Sequence, residues 1–130
     1  MNIYDIKQPE DIKECSIAQL QDLAQQIRVF LIQSIAKTGG HLSSNLGVVE
    51  LMLATHDVFD SPTDNFIFDV GHQSYVDKIL KGLVDQFATL RNNKGIAGFH
   101  KRKDHNHAVW EAGTSSTTRE STLSMVVGCH

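Results

Sequence analysis

Only one segment of this 130-residue chain reads convincingly as a β-strand, and that constrains its fold more than any other feature. Asn65 to Val70 (NFIFDV) is short, β-prone and mostly apolar; Pro62-Thr63-Asp64 breaks the chain before it and Gly71 stops it. A lone strand cannot pair its own backbone N–H and C=O groups, and a parallel α/β sheet needs several strands covered on both faces. The chain is therefore expected to be the first part of something larger, with part of its apolar surface meant for strands it does not contain. No internal repeat or low-complexity tract offers another explanation.

The rest of the pattern is helix and loop. Ser16 and Gln19 form a capping box, in which the hydroxyl accepts from an orphan backbone N–H and the amide reaches back. Behind it Ile17, Leu20, Ala24, Ile27, Leu31 and Ile35 recur at the 3–4 spacing of one buried helix face, which Gly39-Gly40 ends. A second helix is expected to start after Ser44 or Asn45. Its run Val48, Val49, Leu51, Met52, Leu53, Ala54 is apolar nearly all round, so it should be covered on most sides. Tyr75 to Leu80 and Val84 to Leu90 read as two short helices around Gly82. Asn92 to Gly113 reads mostly as loop, with Ile96-Ala97 and Val109-Trp110 as possible short strands. Thr117 and Glu120 repeat the capping-box pattern before a last helix.

Composition disfavours several classes of function. Twelve Lys and Arg against fifteen Asp and Glu leave a net charge of −3, so no global positive field favours nucleic acid or an anionic membrane. The two cysteines, Cys15 and Cys129, have no CxxC spacing, which fits a reduced cytoplasmic protein better than a disulfide scaffold or a zinc finger. No apolar run approaches the ~20 residues of a membrane span, and the N-terminus lacks the order of a signal peptide.

Three glycine-containing turns are the candidates for chemistry: Gly39-Gly40-His41-Leu42-Ser43-Ser44, Asp69-Val70-Gly71-His72-Gln73, and Gly113-Thr114-Ser115-Ser116-Thr117. His72 follows the expected strand directly, where ligands of open α/β sheets bind, and its imidazole can donate to an anion or shuttle a proton near neutral pH. The third turn sets glycine and hydroxyls before a helix N-terminus, which attracts phosphate. Together the three suggest a diphosphate ligand. Each also has a plainer reading: Gly39-Gly40 as a helix cap, His41 as an ordinary polar residue, Thr117 as an N-cap only.

Gly-Gly-His-Leu-x-Ser-x-Leu-Gly-Val-Val-Glu-Leu at Gly39 to Leu51, followed by Asp-Val-Gly-His-Gln at Asp69 to Gln73, closely resembles the N-terminal part of 1-deoxy-D-xylulose-5-phosphate synthases. Lys78-Ile79-Leu80 with Gly82, Leu90-Arg91, Gly95 to Phe99 and Gly113 to Thr117 follow in the family's order. Transketolases share the general plan, but the DVGHQ and AGF blocks favour the synthases. The resemblance implies that residues 1–130 are a partial N-terminal portion of a thiamine diphosphate-binding, transketolase-like parallel-sheet domain, mostly helical in the part present. It also implies an enzyme that uses thiamine diphosphate and Mg²⁺ to decarboxylate pyruvate and join the two-carbon unit to D-glyceraldehyde 3-phosphate, acting as a cytoplasmic homodimer. The product feeds isoprenoid, thiamine and pyridoxal synthesis. By the same resemblance His41 lies near the reacting substrate, His72 near the cofactor, and Gly113, Thr114 and Ser115 touch thiamine diphosphate.

Two departures qualify that transfer. The family's third turn reads Gly-His-Ser-Ser, whereas Thr114 here keeps a hydroxyl and loses the imidazole. Mg²⁺ is held in the family by Gly-Asp-Gly and a later Asn-Asn, because a hard cation needs oxygen ligands beside phosphate. This sequence has no Gly-Asp-Gly, and Asn92-Asn93 precedes the point where it belongs. No metal ligand is therefore assigned. The chain is expected to be an N-terminal fragment or truncated relative, inactive by itself. A different class of reading is metal binding by His100, His105, His107, Cys129 and His130, against which the cationic stretch Lys101-Arg102-Lys103 argues. A third is a non-catalytic interaction domain, or a subunit fragment of a transketolase-like enzyme, whose apolar second helix another chain covers.

Overall fold

The computed structural model of the chain describes residues 1–61, 63–69, 71–96 and 118–128. Two short 3-10 turns, Ile3–Asp5 and Pro9–Ile12, lead into α1 (Ile17–Thr38). Then come α2 (Leu42–Leu46), α3 (Val49–Val58), α4 (Tyr75–Leu80), a 3-10 helix at Val84–Thr89, and α5 (Thr118–Gly128). The described residues are thus mostly helical, as expected of the part present.

The start of α1 follows from its cap. The Gln19 N–H donates to Ser16 Oγ at 3.3 Å, and the Ser16 N–H donates to Gln19 Oε1 at 2.8 Å. Leu23, Ala24, Ile27, Leu31 and Ile35 form its buried face, while Leu20 is only partly buried. Ile17, expected on that face, is 76% exposed, because at the first helical position its side chain lies beyond the elements that cover the rest. At the other end the Gly39 N–H reaches the Ile35 carbonyl at 2.8 Å, and φ is +74° at Gly39 and +144° at Gly40.

The expected second helix is two. The chain leaves α2 at Gly47 and re-enters at Val49, and α3 buries one face, Val49, Leu53 and His56, rather than most of its circumference. Leu51 on the far side is 60% exposed. α1 lies against α2, α3 and the Val84–Thr89 helix, and α3 lies against the Pro9–Ile12 turn and α4. Lys13 joins the N-terminal turns to the end of α3: its Nζ donates to the Asp57 and Phe59 carbonyls, both at 2.9 Å, and pairs with Asp60 at 2.9 Å. A cation there satisfies carbonyls that the helix leaves unpaired.

The strand expected at Asn65 to Val70 is corrected. Among the described residues none is in a strand, and residues 65–68 carry no regular secondary structure. Among the described residues the segment has no extended neighbour, and β propensity alone does not make a strand. It is held by a side chain instead: the Phe66 ring meets the His56 ring edge-on at 4.6 Å, with Lys81 Nζ 5.6 Å from its centroid. α4 forms where expected, and the second short helix, expected at Val84 to Leu90, is a 3-10 helix over Val84–Thr89. α5 begins near the expected residue 117, whose own capping role lies outside the described residues. Among the described residues no helix is long and apolar enough to cross a membrane.

Candidate functional site

The loop after α1 and the turn before α4 bring the two candidate histidines together. His41 occupies the N-cap position of α2, and His72 lies in the turn between Gly71 and Ser74. Their rings meet edge-on with centroids 6.1 Å apart, and both residues are half-buried. The turn is closed by Ser74, whose backbone N–H and hydroxyl donate to the Gly71 carbonyl at 3.2 and 2.6 Å. His72 was expected at the carboxyl end of a strand; a turn places it instead.

Asn45 connects the two segments. It is fully buried, and its Nδ2 donates to the His41 carbonyl at 2.6 Å and to the His72 carbonyl at 2.8 Å. Its Oδ1 accepts the Tyr75 backbone N–H at 2.9 Å. One amide therefore fixes both histidine backbones and the start of α4, and a buried polar group with its hydrogen bonds made is a rigid link. Gln73 adds a second tie across the gap, donating from Nε2 to the Ser44 carbonyl at 3.2 Å. Tyr75, also fully buried, places its hydroxyl 3.2 Å from both the backbone N and Nδ1 of His41. Gly40 makes room for it: a Cβ there would sit 2.7 Å from that oxygen. Burial pushes the Tyr75 phenol above its usual range, against the opposite pull of the His41 N–H and the Arg91 charge.

A second polar group lies behind the site, inside the core. Asp77 on α4 accepts from His56 Nε2 at 2.8 Å and from Lys81 Nζ at 2.9 Å, and none of the three side chains is exposed. Burial alone would raise the Asp77 carboxyl. The His56 hydrogen bond and the Lys81 charge outweigh it and hold the group well below the usual carboxylate range. Burial lowers the Lys81 ammonium, with the Asp77 charge opposing. Among the described residues His56 Nδ1 has no hydrogen-bond partner.

Asn45, Tyr75 and this buried trio escaped the sequence reading. Asn45 was visible only as a helix start, and Tyr75 only as the first residue of a helix. Asp77 and Lys81 do carry the i, i+4 spacing of a helical ion pair, but nothing local to α4 points to His56 on α3. Gly113, Thr114 and Ser115 lie outside the described residues, as do His100, His105, His107, Cys129 and His130. Among the described residues no three His, Cys, Asp or Glu side chains cluster so as to hold a metal ion. A groove of about 540 Å³ between α1 and the Val84–Thr89 helix, lined by Tyr4, Phe30, Lys37 and Phe87 among others, includes neither His41 nor His72.

Comparison with known proteins agrees with the order of these segments. Residues 3–130 match the family model described as 1-deoxy-D-xylulose-5-phosphate synthase. Proteins of that name from Bacillus cytotoxicus and Geobacillus sp. are 50% and 52% identical over 127 residues, 98% of this chain and 20% of each relative. One from Macrococcus caseolyticus is 52% identical over 125 residues, 96% of this chain and 20% of the relative. The chain thus spans about a fifth of the length of the curated relatives it matches.

Proposed function

The chain belongs to the 1-deoxy-D-xylulose-5-phosphate synthase family, and from that premise we propose that it forms part of the site in which pyruvate loses CO₂ and its two-carbon unit joins D-glyceraldehyde 3-phosphate. The observation that carries this reading is the His41–His72 pair, two half-buried imidazoles held 6.1 Å apart with their backbones tied by one buried amide. Such a pair suits proton handling near neutral pH, and its backbone needs no rearrangement to act.

In this reading His41 exchanges a proton with the reacting substrate and His72 orients the cofactor. Gly113, Thr114 and Ser115 offer backbone N–H and hydroxyl donors to diphosphate oxygens. Thiamine diphosphate, when bound, supplies the electron sink for loss of CO₂, and Mg²⁺ neutralises its diphosphate. The imidazole pair fits the organic end of that cofactor. The described residues offer no oxygen-ligand cluster for the cation, so the proposal assigns no Mg²⁺ ligand among them. Residues 1–130 act as one part of a parallel-sheet, thiamine diphosphate-binding domain in a homodimer.

The test joins residues 1–130 to the downstream portion of the Geobacillus relative and measures turnover with pyruvate and D-glyceraldehyde 3-phosphate. The junction protein should be active, and His41→Ala and His72→Ala should each lower kcat by roughly 10²-fold or more, the scale of a lost general acid–base group. Calorimetry of the 130-residue chain alone should show no measurable thiamine diphosphate–Mg²⁺ affinity. Unchanged kinetics in both alanine variants, or tight cofactor binding by the short chain, would refute the assignment.

A further inference from the structure

The Tyr75 hydroxyl lies against the His41 ring, 3.2 Å from Nδ1, and its bonding capacity is small enough to count. A phenol has one hydrogen to donate and two lone pairs to accept with. The His41 backbone N–H can only donate, so at 3.2 Å it occupies one lone pair. What remains toward His41 Nδ1, also at 3.2 Å, is either the hydroxyl hydrogen or the second lone pair. If Nδ1 donated as well, the oxygen would take two donors and its own hydrogen would need a third partner. Tyr75 is fully buried, and no other acceptor meets this oxygen among the described residues. A buried donor left unpaired costs about 1–3 kcal/mol, enough to decide between the two arrangements.

We propose that Tyr75 is a positioning residue for His41: its hydroxyl donates to Nδ1, fixing the ring orientation and placing the imidazole proton on Nε2. The device extends past one contact. Asn45 Oδ1 holds the Tyr75 backbone while Asn45 Nδ2 holds the His41 carbonyl, so donor and acceptor are anchored to the same amide. Phe87 closes on the Tyr75 ring edge-on at 6.2 Å, and Gly40 leaves the hydroxyl its space. Burial keeps the phenol protonated, and hence a donor, at neutral pH. For its functional meaning the inference rests on the reading of His41 as a proton-transfer group, because a general acid–base must present the right nitrogen to its substrate.

The test needs neither cofactor nor turnover, so its failure is distinguishable from failure of that reading. In the ¹⁵N-labelled 130-residue chain, above the imidazole titration range, long-range ¹H–¹⁵N correlation should show His41 with a protonated Nε2 and a bare Nδ1. In Tyr75→Phe the His41 signals should move toward the tautomer mixture of an exposed histidine. The His56 signals should stay fixed by Asp77. Gly40→Ala should produce the same shift by displacing the hydroxyl without removing it. A protonated Nδ1 in the unaltered chain overturns the proposal without any variant, and so does a folded Tyr75→Phe protein whose His41 tautomer is unchanged.

Discussion

Asp77→Asn tests the buried trio directly. The substitution keeps the shape of the side chain, removes its charge, and turns one oxygen acceptor into an NH₂ donor facing His56 Nε2 or Lys81 Nζ, each within 2.9 Å. The Lys81 ammonium is then left in the core without a counter-charge. Breaking a buried pair in this way costs about 3–5 kcal/mol, a large share of the roughly 5–15 kcal/mol that stabilises a domain. With a urea slope of roughly 1–3 kcal/mol per molar, the unfolding midpoint should fall by about 1 M or more. Asp77→Asn/Lys81→Met removes both charges and keeps the volume, so it should recover most of the loss. The pH dependence has a fixed sign. The folded carboxyl lies below its unfolded value of about 3.9, so its contribution is complete above that pH and is lost as pH falls through the folded value. The gap between parent and Asp77→Asn should therefore hold from neutrality to about pH 5 and close in stronger acid. A single variant that loses less than about 1 kcal/mol, or a double variant no more stable than the single, would refute the argument that this charge is needed where it sits.

Two further substitutions probe the scaffold. Gly82 has φ +82° and a Cβ there would run into the Lys7 backbone carbonyl, so Gly82→Ala should cost more than the ~1 kcal/mol of backbone strain alone; chemical denaturation measures it. Ser16→Ala removes the acceptor for the Gln19 N–H and should cost about 1 kcal/mol, seen as a lower melting temperature with little change in helical circular dichroism at 25 °C.

Much of the helical framework was legible because it rests on local rules. The Ser16–Gln19 capping box, the Gly39-Gly40 stop and the extent of α4 each depend on contacts within a few residues and formed as read, and the apolar spacing of α1 held from Ala24 to Ile35 but not at Ile17. Readings that needed a distant partner fared differently. Asn65 to Val70 has the composition of a strand, but a strand exists only beside another; among the described residues it has no extended neighbour, and Phe66 packs against His56 and Lys81. The apolar run after Gly47 could not say which face would meet α1, and Leu51 was left outside.

The candidate site divides along the same line. Its glycine–histidine turns, and through them the family, were determined by the sequence itself, because residue type and order survive without any knowledge of contacts. The pairing of His41 with His72 was decided only in three dimensions. It depends on Asn45 and Tyr75, which lie in different helices and whose roles come from hydrogen bonds spanning about thirty residues of chain. The burial of the His56–Asp77–Lys81 group, and the place of His56 in it, belong to the tertiary structure. A charge can stay in a dry core only if opposite charge and donors are brought to it, and only the packing of α3 on α4 brings His56 there.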